Sequence, residues 1–415
     1  MLLNNKNMKF LFISSLYPEE YRGIIQYNCF GNVYQSASNA FQEALIEGFV
    51  ENKVDFQIVS YPAIPSFPKR YRKLYTFNGD IKYKGYNIGK IKKFCTLIGI
   101  KDFSIQFRLK CYIKRWIKHN HLNKTDPFVI LTYSPSNYFL NAVKPFKRTY
   151  KGLKVCSIVT DLVDDRFTSG FHYSLLKRIQ NSYEFRQVKS SYNVVDIFIL
   201  LAEAMTEKIP QASKRHIIIE GIASSSGSND YEKEDSSHKS ILYAGTLHKY
   251  SCVDELVEAF CMTSNPNYRL VICGSGPLED YIRKEADRDK RILFKGMLSR
   301  NEVLQLQKQS SVLVNPRKPN QEITRFSFPS KTMEYMLSGT PMIGYRLEGI
   351  PQEYYPYMYT PKSLKNEDMS NLIDEVLSKP SEELRQRALS AKQFILDNKT
   401  AKIQVAKIIN FIENE

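Results

Sequence analysis

What this 415-residue sequence lacks narrows it first. Its seven cysteines are an odd number with no CxxC pair and no Cys/His cluster, which argues against a disulfide framework and structural zinc and points to a reducing cytosol. No apolar run approaches the roughly eighteen residues needed to cross a bilayer. The best, VVDIFILLAEAM from Val194, is too short. The opening MLLNNKNMKFLFIS has only a weak basic head and no small-residue cleavage site behind its apolar run, so it reads as a first strand rather than a leader. No low-complexity tract interrupts the chain, and no GxGxxG follows that first strand in FLFISSLYPEEYRG, which disfavours a dehydrogenase. Tryptophan occurs once against 27 tyrosines and 24 phenylalanines, so the aromatic content is of rings that line cores and stack on planar ligands.

Positive charge is what the chain has in excess. The net charge is +16, and between Lys69 and Lys124 sixteen Lys or Arg face only Asp80 and Asp102, a local net of +14. Aromatics interleaved with the cations, as in KRYRKLYTF, favour a surface that meets anionic lipid or an anionic acceptor over a merely solvated face. A nucleic-acid surface is the weaker reading. Helical spacing of Leu109, Ile113, Trp116 and Ile117 predicts an inward-packing stripe, and Arg108, Lys110, Lys114, Arg115 and Lys118 around it supply charge suited to the inner leaflet of a membrane.

Short β-rich runs alternate with helical patterns from end to end, which predicts α/β domains with parallel sheets. The first series is KFLFIS from Lys9, VDFQIVS from Val54, FVILTYS from Phe128, KVCSIVTD from Lys154, DIFILL from Asp196 and HIIIEG from His216. Residues 224–239, SSSGSNDYEKEDSSHK, lack periodicity and read as a linker. SILYAG, YRLVICGSGP, RILFKG, SVLVNP and PMIGY then restart the alternation. Length agrees with two Rossmann-like doubly wound domains, 1–223 and 240–380, with a ligand cleft between their strand ends. Helical patterns over 381–415 follow, one of them expected to return to the first domain.

Three stretches of the second half carry chemistry. VICGSGP puts Gly274 and Gly276 at a strand end, where glycine permits tight turning and close ligand approach; a lone GxG serves equally as a structural turn. In LYAGTLHKYSCVDELVEAF a strand ends on Gly245, and Lys249 lies in the loop before the next helix. In RFSFPSKTMEYMLSGTPMI, Pro329 fits the first helical position, so the free N–H groups of Ser330 and Lys331 would bind phosphate. Glu334, just over one turn further on, either accepts hydrogen bonds from a ribose or simply complements the helix dipole.

These motifs, with ILFKGMLS, SVLVNP and GIPQEY in the same order over about residues 240 to 355, resemble the donor domain of family 4 retaining glycosyltransferases of GT-B architecture, closest to the branch that builds bacterial surface polysaccharides. The first half is similar through KFLFISSLYPEE, QSASNAFQEALIEGF, FILLAEAMTEKI and IIIEGI. The resemblance implies a nucleotide-diphosphate sugar donor and a saccharide or polyprenyl-diphosphate-linked acceptor. It implies that Glu334 holds the ribose, that Ser330 and Lys331 meet the diphosphate, and that Lys249 neutralises it. It implies base reading at Lys295–Met297, and a donor site along Gly245, Thr246, Gly274, Gly276, Met297, Arg317, Arg325, Phe326, Ser330 and Lys331. The sequence departs from the family at Phe326, where a sugar-binding Glu is usual, and at Thr246, where an Arg is common. It departs again at Thr160–Asp161, where a His-Asp pair is common; Asp161 is retained as a cleft, catalytic candidate with Lys249 and Glu334, against an ordinary strand-terminal Asp that caps a turn.

Fixed amides and lysines aimed at the departing diphosphate would stabilise the transition state, with front-face attack and no protein nucleophile. With no DxD pair in a donor loop, and DLVDDR at 161–166 on the acceptor side, neither metal nor cofactor is expected. A cytoplasmic protein, peripheral on the inner face of the cell membrane, is the corresponding location. The rival readings are a nucleotide-sugar epimerase on the same fold and a non-catalytic basic binding protein of the membrane surface.

Overall fold

The protein is described by a computed structural model covering residues 8–31, 36–162, 186, 188–223, 238–319 and 322–415. The linker read over 224–239 lies outside the described residues up to 237, as does DLVDDR beyond Leu162. The chain divides into two compact units, Met1–Ile219 with Gln404–Glu415, and Glu220–Ile403.

The first unit is built on an eight-stranded sheet ordered β3-β4-β2-β1-β5-β6-β7-β8. Its strands are β1 (Lys9–Ser14), β2 (Asp55–Ser60), β3 (Gly79–Tyr83), β4 (Tyr86–Ile91), β5 (Phe128–Tyr133), β6 (Leu153–Val159), β7 (Ile197–Leu200) and β8 (His216–Ile218). All pairings are parallel except β3 with β4. Every residue of β5 and β7 is buried, as expected of central strands covered on both faces. The β3–β4 hairpin was not foreseen in the basic stretch. It turns at Lys84 and Gly85, whose φ values of 47° and 85° suit a two-residue turn of the primed kind.

The Lys101–His119 helix packs Ile105, Leu109, Ile113, Trp116 and Ile117 inward, with Trp116 5.9 Å from the Phe128 ring of β5. Asp102 in its first turn and Lys118 and His119 in its last complement the helix dipole. The carboxyl-terminal residues of this unit belong to the Ala401–Asn414 helix, and Lys154 Nζ of β6 donates to the carbonyl of Ile412 at 2.7 Å.

The second unit has an all-parallel five-stranded sheet ordered β11-β10-β9-β12-β13. Its strands are β9 (Lys239–Ala244), β10 (Tyr268–Cys273), β11 (Ile292–Gly296), β12 (Val312–Asn315) and β13 (Met342–Gly344). The Val253–Cys261 helix covers it with Val253, Leu256, Val257, Ala259 and Phe260, and the Ser330–Ser338 helix with Thr332, Met333, Tyr335 and Met336. That second helix stops at Gly339, whose φ of 73° is the left-handed conformation glycine adopts without cost. All seven cysteines are free.

Candidate functional site

The carboxyl ends of β9, β10 and β12 and the start of the Ser330–Ser338 helix gather most of the residues singled out from the sequence. The loops after β9 and β10 lie backbone to backbone. Gly245 N donates to Cys273 O at 2.9 Å, Leu247 N to Ser275 O at 3.0 Å, and Leu278 N to Leu247 O at 3.0 Å. Both glycines of the GSG turn are required by this packing. A Cβ on Gly274 (φ 136°) would sit 1.8 Å from Gly245 O, and one on Gly276 (φ 155°) 2.4 Å from Leu247 O. The Gly276 N–H is already occupied, donating to Glu279 Oε1 at 3.0 Å.

Gly245 is bare for a different reason. Its missing Cβ would lie 2.5 Å from Lys331 Cε and 2.8 Å from Lys331 Nζ, so the lysine ammonium rests on the glycine at the end of β9. Burial pushes the Lys331 ammonium below the usual lysine range; Arg317, just past β12, pushes the same way, and Glu334 opposes both. Lys331 and Arg317 form no ion pair among the described residues. Arg317 instead places its guanidinium 5.9 Å from the Tyr250 ring, which stacks on His248 at 4.2 Å. Lys249 opens the short Lys249–Ser251 turn with an exposed side chain that likewise forms no ion pair among the described residues. Neighbouring cations are neutralised: Lys318 pairs with Glu255, and Arg325 with Glu348 at 2.7 Å.

The helix start differs by one residue from the sequence reading. Pro329 has φ −71° and ψ 104°, so it caps the helix from extended backbone rather than opening it, and Ser330 is the first helical residue. Thr332 N donates back to Pro329 O at 2.8 Å, and Ser330 stands exposed. Glu334 follows one turn on and is held by a residue the sequence did not point to: Gln307 Nε2 donates to Glu334 Oε1 at 2.6 Å. Gln307 is fully buried in the last turn of the Arg300–Gln309 helix, whose start is fixed by a reciprocal Ser299–Glu302 capping box. Its Oε1 and the Thr332 hydroxyl are buried without a hydrogen-bond partner.

The other candidates are placed as follows. Thr246 is exposed, and its carbonyl accepts from the Tyr243 hydroxyl at 2.8 Å. Met297 is 70% exposed just past β11. Phe326 is only 3% exposed with the Arg325 guanidinium 5.4 Å from its ring, so this position presents no exposed side chain to a ligand. Asp161 belongs to the first unit, exposed just past β6, where Thr160 Oγ1 donates to its Oδ2 at 3.2 Å. It is thus not part of the second unit's cluster. Among the described residues, no group of three His, Cys, Asp or Glu could hold a metal ion.

Chemically, the second unit offers a seat for an anion: free helix-start amides, a half-buried unpaired ammonium on a glycine backbone and a second unpaired cation beside it. One turn away a carboxylate is oriented by a buried amide, a hydrogen-bond acceptor for hydroxyl groups.

Residues 238–378 match the family model described as Glycosyl transferases group 1. No curated protein matches the sequence. Solved structures similar to the chain include Anabaena Alr3699/HepE in complex with UDP, with TM-score 0.62 and 11% identity over 98% of this chain and 100% of that one. Sucrose-phosphate synthase from Thermosynechococcus elongatus gives 0.63 and 13%, covering 98% and 99%. The apo lipopolysaccharide outer core galactosyltransferase WaaB gives 0.60 and 14%, also covering 98% and 99%. At these identities the likeness is one of fold: two parallel-sheet α/β units of the GT-B class.

Proposed function

We propose that this protein is a retaining glycosyltransferase that takes a sugar from a nucleoside-diphosphate donor held by its second unit and passes it to a saccharide acceptor, lipid-linked in our reading. The observation that carries the proposal is the seating of Lys331 on Gly245 at the mouth of the Ser330–Ser338 helix, with Glu334 presented one turn away by Gln307. The diphosphate would take the Ser330 and Lys331 amides and the Lys331 ammonium, with Arg317 and Lys249 adding counter-charge. The ribose hydroxyls would donate to Glu334.

Cleavage of the anomeric carbon–oxygen bond leaves its electron pair on the diphosphate. Cations already fixed there favour the transition state over the ground state without reorganising. The leaving phosphate would receive the acceptor's proton on the same face, which retains configuration. In this reading the counter-charge comes from lysine, arginine and backbone amides rather than from a metal or cofactor. The group 1 match over this unit supports it. So does the Alr3699/HepE structure with UDP and glucose, which makes a uridine nucleotide the first to test.

A thermal-shift series with nucleoside diphosphates and their sugars tests the binding step, because a ligand of the native state alone raises the unfolding midpoint. Transfer to polyprenyl-diphosphate saccharides, followed by anomeric NMR, tests the rest. Stabilisation by no nucleotide would end the proposal, and donor conversion without acceptor would mark an epimerase. The buried Phe326 favours one second reading, donor binding without turnover, which the same assays would report as a shift with no product.

A further inference from the structure

Half of the helix that carries the basic stretch is apolar on the wrong side. While Ile105, Leu109 and Ile113 of the Lys101–His119 helix face the core, Phe103 and Phe107, one turn apart on the opposite side, are 73% and 69% exposed. Ile98 and Ile100, in the turn that leads into the helix, are exposed as well. The only exposed phenylalanines among the described residues are these two and Phe30. From Phe107 onward the same stripe continues as Lys110, Lys114 and Lys118, all exposed at helical spacing. Backbone pairing of Thr96 N with Leu74 O at 2.8 Å brings the exposed Leu74 and Tyr75 beside the extended segment that runs into Ile98. Asp80, one of the two acids in the +14 stretch from Lys69 to Lys124, is already paired with Lys90.

We propose that the Ile98–Ile100 turn and the first two turns of the Lys101–His119 helix form an insertion edge that docks this protein on an anionic bilayer, the isoleucines and phenylalanines entering the headgroup boundary and the trailing lysines meeting lipid phosphates. An apolar tip followed by a basic stripe is what an interfacial element needs; neither part alone gives durable binding. A second copy of the chain is the wrong occupant, because a two-fold contact through this face would set one strongly positive surface against another. Nucleic acid would answer the lysines but leave the two isoleucines exposed. The docking is independent of the sugar-transfer reading.

The test uses the full chain and sedimentation with phosphatidylcholine vesicles, with and without about 30% phosphatidylglycerol, at about 50 mM and 300 mM salt. The protein should pellet with the anionic vesicles at low salt and be largely released at high salt. Phe103→Ser/Phe107→Ser should lower the partition coefficient by about tenfold per ring, the scale for losing most of a phenylalanine's burial. Lys110→Gln/Lys114→Gln/Lys118→Gln should lower it about fivefold per lysine and flatten the salt dependence. Because all five side chains are exposed, unfolding midpoints and the nucleotide-induced shift should stay at wild-type values in both variants. The proposal is overturned by indifference to lipid charge, or by wild-type vesicle binding in the double Phe variant. It is equally overturned if that variant turns a dimer into a monomer on size exclusion, or if a short oligonucleotide binds the wild type and competes the vesicles away while the double Phe variant loses both.

Discussion

Replacing Gly245 by alanine should damage anion binding chiefly through Lys331, and the structure allows the effect to be sized. The new Cβ would lie 2.5 Å from Lys331 Cε and 2.8 Å from Nζ, the end of a flexible side chain that can swing away, and 3.1 Å from the Tyr243 hydroxyl, which needs to give by only a few tenths of an ångström, so the fold survives while the ammonium leaves its seat. At an effective dielectric near 20, an ammonium about 3 Å from a phosphate oxygen gains about 5 kcal/mol, and desolvation of both ions reduces this to the 2–3 kcal/mol typical of a charge-assisted hydrogen bond. Lys331→Met should therefore weaken UDP binding about 30- to 150-fold, and Gly245→Ala, which displaces the charge without deleting it, about tenfold. In the Lys331→Met background the glycine change should cost less than about twofold, a coupling of about 1 kcal/mol that separates displacement of the lysine from independent damage. Stability should move the other way. Lys331→Met removes a half-buried unpaired ammonium and should leave the nucleotide-free unfolding midpoint unchanged or raised. Isothermal titration of UDP into the four proteins, with urea unfolding of each, is the assay. Additive losses, or an undiminished affinity in Gly245→Ala, would refute the reasoning.

The lowered pKa of Lys331 carries its own pH signature. The folded state binds fewer protons than the unfolded one between the lowered value and the usual 10.5, so nucleotide-free stability should rise with pH through that window, and the rise should vanish in Lys331→Met. A bound diphosphate favours the charged form, so at pH near or above the lowered value UDP binding should take up protons, seen as a buffer-dependent enthalpy, and it should weaken as pH climbs through that value. Glu334→Ala should cost about 2–3 kcal/mol of donor affinity and abolish discrimination against a 2′,3′-dideoxy nucleotide. Gln307→Leu should weaken donor binding about fivefold with little change in stability, because it removes a carbonyl oxygen that is already buried without a partner. Away from the site, buried Lys399 pairs with Glu220 and with Glu353 at 2.5 Å. Lys399→Met should destabilise by about 3–5 kcal/mol in urea, and adding Glu220→Leu should recover much of it.

How much of this was legible depends on where each residue finds its partner. The strands were readable because central parallel strands are covered on both faces and appear as continuous apolar runs: KFLFIS is β1 residue for residue, and SVLVNP contains β12. The β3–β4 hairpin escaped because its Lys- and Tyr-rich strands are mostly open to solvent and read as basic loop. Its one signal was the Lys84–Gly85 pair. Pro329 was placed one position too deep because a helix-start proline and a capping proline have the same φ; they differ in ψ, which sequence does not report. Gln307 carried no signal at all. It lies 27 residues from Glu334, and only the packing of the Arg300–Gln309 helix on the Ser330–Ser338 helix makes it a partner. The glycines were visible, but their reasons were not: Gly274 makes room for a backbone carbonyl, Gly245 for a lysine.

The same contrast separates the chain's two sets of cations, which composition cannot tell apart. Lys110, Lys114 and Lys118 stand in water, where a charge is solvated and acts mainly by attraction to a distant surface, screened within about 10 Å at ordinary salt. Lys331 is withdrawn from water onto a glycine backbone, where an unpaired charge is costly. Two nearby acids are committed elsewhere, Glu255 to Lys318 and Glu348 to Arg325, and Glu334, which also accepts from Gln307, offsets the cost only in part. A folded domain that neutralises Lys318 and Arg325 yet, among the described residues, leaves Lys331 and Arg317 without ion pairs keeps a local deficit of negative charge. That deficit disfavours the nucleotide-free state and is removed by any anion that fits the helix mouth. On the proposed donor reading, affinity for a diphosphate would therefore rest less on the number of lysines near the site than on the carboxylates withheld from it.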